Sequence, residues 1–187
     1  MKRDIVLTKP LVSSFLASEK DTELIINKLF VQSRPYSDIL KKLLVVQNKD
    51  CLDANYDLSQ YSVKKLIDDK YIVTGPKITL PEHDELKAFM CLDFDGFTPN
   101  GTNPEFRDCM VHIDVVCHND YVDLGNFRQR PMKILGYIDG ILNKNKLSNI
   151  GVLNFGGCTK KVLTEDWTAY LLMYLAIHSE VIPENEE

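Results

Sequence analysis

No apolar run in this sequence approaches the ~20 residues that cross a bilayer. The opening, MKRDIVLTKPLVSS, has neither the apolar core nor the cleavage site of a signal peptide. An intracellular chain with no membrane partner is therefore expected. There is no CxxC pair: the five cysteines, Cys51, Cys91, Cys109, Cys117 and Cys158, are odd in number and irregularly spaced. This argues against a disulfide framework or a zinc ribbon and for reduced thiols. GxSxG, a phosphate-binding glycine loop and HExxH are all absent. So are internal repeats and low-complexity segments.

What is there is ordinary globular material. The 187 residues are 44% hydrophobic and 26% charged, enough for one domain with a real core. Charge is uneven: residues 1–80 hold 13 Lys and Arg against 10 Asp and Glu, and residues 81–187 hold 9 against 17. A half with eight excess acids is poorly suited to gripping a phosphate backbone. It suits a surface that must not adhere to DNA, or simply a solvated face.

The pattern divides the chain into a helical segment, 1–70, and a sheet-forming segment, 71–187. Ser18, followed by acidic residues, reads as the N-cap of a helix carrying Leu24, Ile25, Leu29 and Phe30. Pro35 opens a second helix whose apolar side is Ile39, Leu40, Leu43, Leu44 and Val46, opposite Lys41 and Lys42. A third spans about 59–69. Residues 71–74 and 77–80 then read as short strands around Gly75-Pro76. Alternation predicts strands over 86–95 and 107–118, with the Gly/Pro/Asn-rich stretch 96–106 as the loop of a long hairpin. Pro131–Asn143 reads as a helix with Ile134, Leu135, Ile138, Ile141 and Leu142 inward. Next come strands at 150–155 and 160–163, joined by a tight Gly156-Gly157 turn, and an apolar strand at 167–178. Helices and strands are segregated, so the expected class is α+β: a mainly antiparallel sheet, a helix packed on it and an N-terminal helical segment.

Two groups of residues could carry chemistry. His112, Asp114 and His118 share a strand face, with Asp93 and Asp95 on the neighbouring strand. These types suit a divalent metal: a nuclease would use Asp93, Asp95 and Asp114 as a carboxylate cluster with Lys133 as electrostatic partner, and a metal-dependent phosphoesterase or nuclease could also be built on the His112/Asp114/Asp93 face. However, His112 and His118 are six residues apart, roughly 20 Å along a strand, so one ion cannot take both. No metal and no cofactor is expected. Arg128 and Arg130 precede Pro131, where a helix N-terminus is already positive. Either Asp120 and Asp123 neutralise them, or they reach acids on an adjoining subunit. Gly136 and Gly140 each cost up to about 1 kcal/mol of helix propensity. Close approach of another backbone, in the sheet below or in a neighbour, would explain them.

The segments VHIDV (Val111–Val115), DLGNFRQRPMKI (Asp123–Ile134) and Ile138-Asp139 resemble the head-to-tail joining proteins of tailed bacteriophages, above all tail terminator and tail-completion proteins. The strand at 150–155 and the apolar strand at 167–178 follow the same order, so the resemblance spans roughly residues 87–178. It implies a homo-oligomeric ring, a hexamer, with no active site. Such a ring caps the tail tube, meets a connector protein and lets DNA pass without specific binding. It is assembled in the host cytoplasm and resides in the virion tail or neck. Arg128 and Arg130, Gly136 and Gly140, and Asn100 and Asn103 of the hairpin loop are then the expected subunit or partner contacts. A monomeric adaptor whose helical hairpin docks another protein is the remaining class.

Overall fold

The computed structural model describes residues 14–52, 55–75, 80, 87–101, 106–148 and 150–179. The fold is α+β. Helix α1 (Ser14–Asn27) runs into a π-helical turn at Lys28–Gln32, and α2 (Tyr36–Val45) and α3 (Val63–Asp68) follow. Then come β1 (Ile72–Thr74), β2 (Ala88–Pro99), β3 (Phe106–His118), α4 (Arg130–Leu142), β4 (Lys146–Leu147), β5 (Gly151–Val152), β6 (Asn154–Val162) and β7 (Trp167–Ser179). Five strands form one sheet in the order β1-β2-β3-β7-β6, and β4 and β5 make a small separate pair.

The alternation of β2 and β3 sets the register. Leu92 faces Ile113 and Asp93 faces His112, so one sheet face is apolar and the other mixed. β3 continues onto β7, where Ile113 meets Leu172 and Val111 meets Tyr174. The apolar face receives α4 through Ile134, Ile138 and Leu142, and α2 through Leu40, Leu43 and Leu44. Ile25 and Leu29 of the first helix join the same cluster, so the N-terminal helices and the sheet share one core. Each such side chain contributes about 1.5–3 kcal/mol on burial. On the opposite face, among the described residues, one end is covered by a small cluster of Phe89, Cys91, Val116, Trp167 and Ala169.

Several local expectations change. The first helix begins at Ser14, so Ser18 lies within it and its carbonyl accepts from the Thr22 hydroxyl. Lys41 is buried rather than opposite the apolar side. β1 pairs in parallel with β2 instead of turning back at Gly75; residues 76–79 lie outside the described residues. β2 continues through Gly96 to Pro99 with a register shift between Asp95 and Thr98, so the hairpin loop is shorter than 96–106. Gly156-Gly157 is no turn. It is a register shift inside β6, which runs unbroken along β7.

Candidate assembly interface

Arg130 is completely buried, with 0% of its surface exposed. Its Nε donates to the Tyr121 carbonyl (3.0 Å) and its terminal nitrogens to the carbonyls of Leu43 (2.8 Å), Val46 (3.1 Å) and Asn48 (3.1 Å). These carbonyls belong largely to the C-terminal end of α2 and the loop beyond it, where helix geometry leaves acceptors unused and the dipole is negative. The Cys51 sulfur lies 3.7 Å from the same guanidinium. Burial pushes the Cys51 thiol up, and the guanidinium pulls it back down in part. Arg130 is thus committed inside its own chain, which corrects its place among the subunit contacts. Neither acid expected to neutralise it does so: Asp123 bonds Lys49 (2.8 Å), which helps hold its carboxyl below the usual range, and Asp120 sits beside His118. Arg128 is half-buried and braces its own loop through the carbonyls of Gly125 and Leu124.

The residue that does project from this loop is Phe127. It is fully exposed, and Asn126 and Phe127 both take left-handed backbone conformations (φ +51° and +63°). A bulky side chain rarely adopts that region. The sequence signal was the apolar residue itself, overlooked beside two arginines.

On α4, Gly136 and Gly140 are exposed, and a Cβ at either would meet nothing within 4 Å. The sheet below therefore does not explain them. With Met132, one turn earlier, they form a smooth outward stripe; the helix is fixed from its other side by Asp139, which accepts from the Tyr174 hydroxyl (3.0 Å). At the hairpin, Asn100 donates to Asp108 (2.7 Å), bracing the end of β2 against β3. Asn103 lies outside the described residues.

The mixed sheet face does not assemble a metal site. Asp93 and His112 are register partners, but Asp114 lies 3.3 Å from the Lys161 ammonium. His118 is buried at the far end, its Nδ1 accepting from the Asp120 amide (3.2 Å) and its ring edge-on to Trp167. Among the described residues no three His, Cys, Asp or Glu converge.

The feature missed from sequence is the edge strand β6. It runs for nine residues along β7, and its other side has no strand partner among the described residues. Phe155 (50% exposed) and Val162 (72%) lie on it, and Leu175 (53%) stands on the adjacent β7. Phe155 and Val162 are register partners of Tyr174 and Thr168 on the core-side face, whereas Leu175, with half-buried Met173 and Leu171, lies on the mixed face. The Phe155 amide donates to the Asn143 side-chain oxygen (3.2 Å); beyond it, an edge without a strand partner beside exposed apolar side chains is a template for strand addition. The edge carries Lys160 and Lys161 as its charged residues.

The profile of the YomW family matches residues 37–176. The match begins in α2 and ends in β7, and so takes in β1 to β6, most of β7, α4, Arg130 and each carbonyl that Arg130 engages. No curated protein matches the chain.

Proposed function

The chain belongs to the YomW family, and we propose that it is a non-enzymatic structural protein of a tailed-phage virion. In this reading six copies form a ring at the head–tail junction or tail top. The ring ends the tail tube and joins it to the connector, and DNA passes through without specific binding. The observation that carries the reading is the open β6 edge with Phe155, Val162 and Leu175 exposed beside it. A monomer leaves such an edge unprotected, whereas repeated strand-to-surface contacts between copies cover it and close a ring. The exposed Phe127 and the Met132–Gly136–Gly140 stripe supply a second surface on which a neighbour's backbone can lie close. The family is one of a Bacillus prophage region.

Light scattering on the full chain tests this. A ring of six 21.4 kDa chains has a mass of about 128 kDa. Placing charges on the edge, with Phe155→Lys and Val162→Lys together, should return the mass to that of one chain. A single-chain mass at every concentration, and equally in the presence of assembled tail tubes, would sink the reading.

A further inference from the structure

Between residues 143 and 163 the sequence holds four lysines, Lys144, Lys146, Lys160 and Lys161, and no acid. This run lies inside the half of the chain that carries 17 acids against 9 bases. The fold gathers it at one border of the sheet. Lys160 and Lys161 stand on β6, Lys146 on β4, and the Lys144 amide donates to the Leu153 carbonyl (2.7 Å) immediately before β6. Lys161 is engaged by Asp114 at 3.3 Å, whereas Lys144, Lys146 and Lys160 are exposed. Phe155 and Val162 are exposed on the same strand. The open edge is thus both apolar and cationic, and it calls for an extended occupant that is apolar and acidic.

We infer that the occupant is residues 180–187 of a neighbouring copy, laid along β6 as an added strand. This rests on the ring reading above and names the segment that closes the ring. The segment, EVIPENEE, lies outside the described residues; it has four glutamates, no base and the apolar pair Val181-Ile182. Pro183 suits an added strand, itself an edge, with its missing donor turned away from β6. The segment follows directly on β7, and the register of β7 favours a neighbour's edge over its own. Leu175 is the partner of Asn154, where β6 begins, so Ser179 lies four residues, roughly 13 Å, past that end. To reach the outer side of its own β6, the segment must double back that distance and cross two strand spacings, about 10 Å. Eight extended residues span at most about 29 Å, so roughly half would be used before pairing began. From an adjoining copy the whole segment can lie along the nine residues of β6. Repeated from copy to copy, the contact is head-to-tail and closes a ring.

Light scattering on two charge-reversed full chains tests the inference. One carries Glu184→Lys, Glu186→Lys and Glu187→Lys; the other carries Lys144→Glu, Lys146→Glu and Lys160→Glu, all at exposed side chains. Each alone should lose the ring mass while keeping the melting temperature of the single chain. An equimolar mixture should recover the ring mass, because each segment then meets an edge of opposite charge. Ring mass retained by either variant overturns the inference and means that another surface closes the ring. A mixture of folded variants that stays at single-chain mass also overturns it, and places the segment on its own chain. A labelled peptide of residues 179–187 separates this contact from the ring reading. If the unaltered chain is itself single, the ring reading fails, and the contact is read from the anisotropy of the peptide. The peptide should saturate one site per chain and bind about tenfold more weakly to the Lys→Glu variant. No saturation, or equal affinity for both chains, overturns the contact as well.

Discussion

The guanidinium of Arg130 lies over the ring of Tyr121, 3.7 Å from its carbon to the ring centroid, while the carbonyl of the same tyrosine accepts from its Nε. The tyrosine hydroxyl donates to the Val46 carbonyl, which also accepts from Arg130. One cation and one phenol therefore close the end of α2 together. Replacing Arg130 by Met strands several buried carbonyls. It should cost about 3–5 kcal/mol of stability, read from the denaturant midpoint. Arg130→Lys should also destabilise, since an ammonium cannot reproduce the planar fork. A loss below about 1 kcal/mol for Met would refute this account.

The four buried thiols should be silent toward a thiol reagent at neutral pH, with only the exposed Cys158 reacting in the native chain. All five should react after unfolding. More than one fast thiol in the native protein would contradict the core as described.

The same burial predicts an alkaline weakness. Burial pushes Cys91, Cys109 and Cys117 each up to about 12, from an ordinary value of 9.0. Above pH 9 the unfolded chain releases thiol protons that the folded chain retains. The stability of the fold is thus complete below that pH and declines as pH rises toward 12. Thermal melting between pH 7 and 11 should show a flat region and then a fall. Changing the three cysteines to Ala or Val should flatten the fall.

Gly136→Ala and Gly140→Ala separate helix energetics from assembly. Each adds a methyl into open space and should raise the stability of the single chain by about 0.5–1 kcal/mol. If the stripe is where a neighbour's backbone lies, the same substitutions should lower the fraction of chain at ring mass. A rise in stability with unchanged assembly would remove these glycines from the interface.

Phe127 offers a local test of the second surface. Phe127→Gly relieves a left-handed backbone and removes an exposed ring, so single-chain stability should rise or stay level. Ring mass should fall. Unchanged assembly would leave the β6 edge as the sole contact.

The α+β class and the long strands were legible because β3 alternates, and because β7, an apolar run that could also suit a buried helix, follows a predicted hairpin. Ile113 and Leu172 fall on one face, His112 and Met173 on the other. The Pro131 helix was equally plain. β6 was not, because a Gly-Gly pair between short apolar runs ordinarily marks a turn. Here Gly157 takes a φ of +149° and absorbs an extra residue, and a Cβ at Gly156 would sit 3.4 Å from the Met173 carbonyl. Arg130 was misread for a different reason. Beside a proline at a helix start, an arginine looks like surface, and its partners are backbone carbonyls up to 87 positions away, which carry no side-chain signature. Lys41 was misread likewise, since a cavity beside it is closed by Tyr56, Leu58, Ser59, Tyr61 and Ser62, which follow only after the next loop, together with its own helix.

The distance in sequence between Arg130 and its acceptors has a consequence for how the protein is made. Asn48 is added to the growing chain 82 residues before Arg130. At about 5–20 residues per second the end of α2 waits roughly 4–16 s without its cation. During that interval the emerging helices hold unsatisfied carbonyls and an apolar side with no sheet to cover it. The first third of the polypeptide is therefore a nascent segment that matures only when the last third arrives, and a ribosome stalled before residue 130 would display it to the cell's chaperones.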